Sequence, residues 1–381
     1  MNRIPRSFRN AAGLLALALT AVLPACGGEG PTPPPPPPPA TLTVSATGRM
    51  ERGSVVTVAV TNAGGVVVAP GQVYLTFSPA DGAQALGDGT IKLLRAGPLT
   101  VNAATAGITG STTVEVAAPP VVVFDRVSGG NRDIWKVDLD GQNLVQLTTN
   151  AGDDQDPTVV KGTVVFVSFR DGNANLYSVP LAGGTDARLG ANTTRDESTP
   201  SLSLDGTKLA FAAVLGGVTK VFTAAANGTS TAQLVPGTGA EVIETAPTWS
   251  PSGGVAYVST AAGSADIVQV VSGGAPTVLA ASGAADVEPA WSADGQTLAF
   301  ISNRSGPVEV WLRNSAGTAT QLTSGAGSRS NPAWTPDGRM VYVDTSGGVS
   351  RLRWVDPAVP GTSYLIETGA GAVANPAVNL P

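Results

Sequence analysis

Histidine is absent from this chain of 381 residues, and that removes much enzymatic chemistry at the outset. Without imidazole there is no His general base, no Ser–His triad and no His-ligated metal. A single cysteine excludes disulfides within the chain and multi-cysteine zinc sites. Charged residues make up 13% of the sequence, about half the usual share of a soluble domain. Residues that favour helices are sparse too. What abounds is Gly (47) and Pro (30), with Val and Thr recurring throughout, which is the composition of short strands and tight turns. With 42% hydrophobic residues a real core is available. The expected fold class is all-β.

The formal charge is −6. Loss of an N-terminal export segment carrying Arg3, Arg6 and Arg9 leaves 19 basic against 28 acidic residues, a mature charge of −9. An acidic surface repels phosphate backbones, so no nucleic-acid partner is expected.

That segment, 1–25, reads in three parts: the arginines, an apolar run from Ala11 to Val22 too short for a comfortable membrane span, and Leu23-Pro24-Ala25 before Cys26-Gly27-Gly28. It resembles the bacterial lipoprotein signal, which implies diacylglycerol transfer to Cys26 and a membrane-anchored mature N-terminus. Pro24 is a less usual residue at its position. In that family Gly27, rather than Asp, after the cysteine implies the outer membrane, with the protein facing the periplasm or the cell surface. Residues 26–40 hold seven consecutive prolines, Pro33 to Pro39. Such a run extends by about 3.1 Å per residue and serves as a stalk; a proline-recognition ligand is the alternative.

From 41 to 119 short alternating runs are separated by Gly-rich breaks. The runs are Thr41–Val44, Val55–Val60, Val66–Val68, Val73–Phe77, Leu99–Val101 and Thr113–Val116. They predict a small β-sandwich. Its later part, Gly89 through Ala96-Gly97 and Thr100–Ala103 to Gly107, resembles a bacterial Ig-like domain, which implies a spacer or adhesive module.

Residues 120–381 are dominated by a repeat. Its clearest member is Pro289-Ala290-Trp291-Ser292-Ala293-Asp294-Gly295, followed by Leu298–Phe300, Arg304, Val310-Trp311 and Gln321-Leu322-Thr323. Related heads stand at Pro157, Pro200, Pro247, Pro332 and Pro376; with Pro289 in the series, the six are spaced 43, 47, 42, 43 and 44 residues apart. A period in the forties with four strands per unit predicts propeller blades. Second strands are expected at Val122–Phe124, Val164–Phe166, Leu209–Phe211, Val255–Tyr257, Leu298–Phe300 and Met340–Tyr342. The first unit lacks its Pro-headed strand, and Asn375-Pro376-Ala377-Val378 supplies it from the C-terminus. A six-bladed β-propeller closed by that strand is therefore expected, since an open ring would leave two unpaired edges.

The repeat is similar to the WD40-like (PD40) propeller of the TolB family over roughly Val121 to Leu380, with near-complete heads at 289 and 332 and degraded ones at 157 and 376. TolB has a different N-terminal domain. The resemblance implies the fold and a protein partner in the cell envelope; TolB's specific partners do not transfer.

The expected function is a non-catalytic protein-binding scaffold, held at the membrane by its lipid. Trp249, Trp291, Trp334, Trp135, Tyr177 and Trp311 keep a fixed register and read as blade packing. Arg126, Arg170 and Arg304 read as turn contacts. Sialidase Asp-boxes, the Gly-x-Ser-x-Gly of hydrolases and the His ligands of propeller lyases are all missing. A carbohydrate-binding or paired-carboxylate glycan-active propeller remains the alternative. The segments before each Pro carry Asp153, Asp154, Asp156, Asp196, Glu197, Glu241, Glu244, Asp286 and Glu288, against Arg195 and Arg329. They are expected at one rim of the central channel. Acids before Pro commonly cap strand entries; converging, they would form an electronegative funnel for a basic protein segment or for Ca²⁺.

Overall fold

The computed structural model describes residues 41–190, 194–271 and 273–380. The signal segment, Cys26 and the proline stalk lie outside them. Among the described residues no helix is long and apolar enough to cross a membrane.

The first seven strands are β1 (Thr43–Thr47), β2 (Val55–Thr61), β3 (Tyr74–Ser78), β4 (Ala83–Ala85), β5 (Thr90–Leu93), β6 (Gly97–Thr105) and β7 (Ile108–Val116). They form two sheets, ordered β1-β2-β5-β4 and β3-β6-β7. Alternation drives this: Val56, Val58 and Val60 of β2 turn inward, as do Leu99, Val101 and Ala103 of β6, and both sets join one core with Ile91 and Leu93. The run Val66–Val68 departs from expectation. Val66 and Val67 are 63% and 67% exposed, and only a lone bridge from Val67 to Thr61 forms. The Asn62 side chain accepts the N–H groups of Gly64 and Val66, so local turn chemistry takes that stretch out of the sheet.

Six four-stranded antiparallel sheets follow. The first holds β8 (Val121–Ser128), β9 (Asn131–Asp138) and β10 (Val145–Gln146). The second is β11–β14: Asp154–Val160, Thr163–Ser168, Asn175–Pro180 and Ala187–Arg188. The third is β15–β18: Glu197–Leu202, Lys208–Leu215, Val218–Ala225 and Ala232–Gln233. The fourth is β19–β22: Glu244–Trp249, Val255–Ser259, Asp266–Val270 and Thr277–Ala280. The fifth is β23–β26: Asp286–Trp291, Thr297–Ser302, Glu309–Asn314 and Ala319–Gln321. The sixth is β27–β30: Arg329–Trp334, Met340–Asp344, Arg351–Val355 and Ser363–Leu365. The last strand, β31 (Val373–Val378), returns to pair with β8 and completes the first sheet. The first strand of each sheet touches that of the next, and β27 touches β31, so the inner strands form a ring.

Each sheet repeats one packing unit. An aromatic in the second strand (Phe124, Phe166, Phe211, Tyr257, Phe300, Tyr342) is buried and faces a partner on the third: Trp135, Tyr177, Phe222, Val268, Trp311 or Arg353. Three arginines lie over these rings: Arg170 at 4.2 Å from Tyr177 and Arg304 at 5.0 Å from Trp311, both from the next turn, and Arg126 of β8 at 4.5 Å from Trp135. Arg170 and Arg304 are thus turn contacts, as expected, whereas Arg126 is not: it stands within β8, paired across the ladder with Asp133. Since strands alternate direction, the Asp-Gly turns after the inner strands share one face with the turns between third and fourth strands. The segments before each Pro lie on the opposite face.

Candidate functional site

Every inner strand breaks register around its Pro, which has no N–H to give the ladder. The residue just before it turns left-handed: Asp156 (φ 53°), Thr199 (45°), Ala246 (47°), Glu288 (53°), Asn331 (50°) and Asn375 (48°). The conformation is uncommon for residues other than Gly, and Asn and Asp tolerate it best. Six equivalent bulges in a ring bring six non-glycine residues to the channel wall.

Side chains join most of these positions into a belt. Glu288 Oε2 accepts the Asn331 N–H at 2.5 Å, and Asn331 Nδ2 donates to Asn375 Oδ1 at 2.8 Å. Asn375 Nδ2 donates to Asp156 Oδ1 at 2.7 Å, and the Asp156 carboxylate takes the Thr199 N–H. Behind it sits fully buried Asp125, which accepts from Asn375 Nδ2 at 2.7 Å and pairs with Arg132. The belt stops at Ala246, which has no group to continue it.

The six pre-Pro residues line a cavity of about 620 Å³ together with the six prolines, Val159, Leu202 and Val378, and Trp249, Trp291 and Trp334. The tryptophans are therefore both packing and wall; Trp334 Nε1 is fixed by the Ala290 carbonyl at 3.1 Å. Among the described residues the lining contains no Lys or Arg, and its only charged side chains are Asp156 and Glu288. Burial, reinforced by the Asp125 charge, pushes Asp156 up to about 6. Burial also raises Glu288, with Asp156 adding repulsion and the Asn331 N–H opposing. Asp125 is raised by burial against the pull of Arg132.

The nine acids singled out from the sequence do not converge as one funnel; the structure sorts them into three groups. Asp156 and Glu288 reach the channel. Asp154, Glu244 and Asp286, all fully buried, and Glu197 open the inner strands two residues before those positions, where they satisfy neighbouring groups. Glu197 and Glu244 accept the N–H groups of Leu176 (3.1 Å) and Val221 (3.3 Å) from the preceding sheet. Asp154 holds Asn150 and Arg170, and Asp286 holds Arg304 at 2.7 Å. Asp153, Asp196 and Glu241 are exposed on the connecting loops; the first two accept the N–H groups of Arg132 (3.0 Å) and Ala174 (3.1 Å). Arg329 is buried and paired with Asp344 at 3.0 Å. Asn331, Asn375, Thr199 and Ala246, which are not acids, and Asp125, which lies on β8 outside the pre-Pro segments, are site residues that the sequence reading misses. The first four share one signal, the position directly before a repeat Pro. Among the described residues no group of three or more Asp, Glu, Cys or His is placed to hold a metal ion.

Comparison with known proteins places this geometry. Residues 191–378 match the model of the TolB beta propeller domain. No functionally curated protein matches the chain. Among solved structures, TolB from Acinetobacter baumannii superposes with a TM-score of 0.62 at 18% identity, covering 83% of this chain and 84% of its own. A protein assigned as TolB from Agrobacterium tumefaciens gives 0.53 at 18%, covering 65% and 87%. A chain of a nidogen/laminin complex gives 0.54 at 11%, covering 68% and 97%. At these identities the likeness concerns the fold. Residues 191–378 thus resemble the TolB beta propeller domain, and the chain shares the propeller fold of the TolB proteins.

Proposed function

We propose that this chain is an envelope lipoprotein, anchored through Cys26 to the outer membrane by a proline stalk, whose six-bladed propeller stands behind an Ig-like sandwich and binds a protein partner without catalysis. The observation that carries the reading is the asymmetry of the ring. Arg49, Glu51 and Arg52 of the N-terminal sheets sit on the turn face, at Asp337, Arg339, Asp138 and Asp140. The opposite face, with exposed Asp153, Asp196 and Glu241, carries no such contact among the described residues.

The chemistry favours a basic segment of a protein over Ca²⁺. Two carboxylates face a chamber whose other described walls are uncharged, combining prolines and tryptophans with the hydroxyls and amides of Thr199, Asn331 and Asn375, a setting suited to an amine or guanidinium on an apolar stem. Calcium takes six to eight oxygens, several of them carboxylate. The test is cross-linking in intact cells, with photo-reactive residues placed at Ile243 on the open face and at Val145 on the turn face. The reading expects one protein captured from Ile243 and not from Val145. Equal capture from both positions, or capture from Val145 alone, overturns it.

A further inference from the structure

The ring has one seam, where β31 meets β8. On one side stand β8, β9 and β10; on the other, the sixth sheet and the strand it leads into. One short arm of the N-terminal sheets, residues 49–53, grips both sides. Arg52 holds the β8–β10 side: Nε lies 2.8 Å from Asp140 Oδ2, and Nη2 lies 3.0 Å from Asp140 Oδ1 and 2.5 Å from Asp138 Oδ2. Glu51 holds the sixth sheet through Arg339 Nη2 at 2.6 Å, and that guanidinium, 3% exposed, also binds Asp337 at 2.7 Å. Arg49 adds Asp337 and, at 3.4 Å, Asp356.

The arm is itself stiff. Ala117 N–H donates to the Met50 carbonyl at 2.7 Å, and Arg52 N–H to the Ala117 carbonyl at 3.0 Å, so the chain leaving β7 clamps it before entering β8. Gly53 has φ +89°, and a Cβ there would lie 3.0 Å from Asp140 Cβ, a close approach that only Gly permits without adjustment.

We infer that the N-terminal sheets are a second, ionic latch of the ring, holding the β8–β31 seam shut from outside the strand pairing. They are more than a spacer. Arg52 is bidentate on one side, the geometry in which charge-assisted bonds are strong, and on the other Glu51 meets Arg339 in a buried pair, whose loss of one partner is costly. A staple acts in series, so cutting either end releases the seam fully, and cutting both does no more.

The experiment is hydrogen–deuterium exchange on the full chain, native against Arg52→Gln, against Arg49→Gln/Glu51→Gln, and against the triple variant. The latch predicts about tenfold faster exchange in β8 and β31 for each of the three, with β19–β22 across the ring unchanged. Should Arg52→Gln fail to fold, the Arg49→Gln/Glu51→Gln pair, which leaves Arg339 bound to Asp337, decides the question alone. Unchanged protection of β8 and β31 overturns the inference. So does faster exchange confined to β1–β7, or effects of the two ends that add.

Discussion

Asp156 concentrates the residue-scale argument. Its pKa, near 3.8 in an open chain, rises to about 6 in the fold. Between those values the native state binds more protons than the unfolded one, so stability falls as pH rises from about 4 to about 6, and the loss stays at neutral pH. Asp156→Asn removes that penalty and keeps an oxygen for Asn375 and Thr199. It also places at 156 the residue already found at 331 and 375, which tolerates positive φ. The variant is expected to gain on the order of 2 kcal/mol at pH 7.5, read by denaturant unfolding, and to flatten the curve between pH 4 and 6; a variant less stable than native at pH 7.5 contradicts the account. Ala246, at φ 47°, is strained without any compensating bond. Ala246→Gly should add about 0.5–1 kcal/mol by the same measurement, and a loss would contradict the strain. That acids cluster before four of the six repeat prolines was plain from the sequence. What stayed hidden was the bulge: it separates residues two apart in sequence, sending Asp156 to the channel and Asp154 between sheets, and the one mark it leaves in the sequence is the position directly before a repeat Pro.

Among the elements, the repeat made the ring readable. Six Pro heads, six buried aromatic second strands and an orphan C-terminal strand specify the order β10-β9-β8-β31 before any coordinates. Deleting 373–381 should leave β8 with an unpaired apolar edge, giving aggregation or a non-cooperative melt by calorimetry; an unchanged melt would contradict closure by β31. The arm at 49–53 was illegible for a physical reason. Its partners lie up to 307 positions away, and a long-range ion pair leaves no periodicity behind. The Val66–Val68 run misled in the opposite sense: its β-branched residues promise a strand, but the Asn62 side chain captures the backbone first.

For the whole molecule, two tests address what joins the ring to its surroundings. Cys26→Ser should shift the exported protein from the detergent phase to the aqueous phase, or leave it unprocessed; native protein found wholly in the aqueous phase contradicts the anchor. The central claim is that the face away from the N-terminal sheets binds a basic protein segment. It is tested most directly by titrating the protein captured at that face against native chain and against Asp153→Asn/Asp196→Asn/Glu241→Gln/Glu288→Gln. Each amide keeps an acceptor oxygen, and buried Asp154 and Glu244 are left alone because their loss would unsettle the sheets themselves. With the melt unchanged, the account predicts at least tenfold weaker binding and a shallower dependence on salt. A quadruple variant that binds as tightly as the native protein, with the same salt dependence, contradicts it.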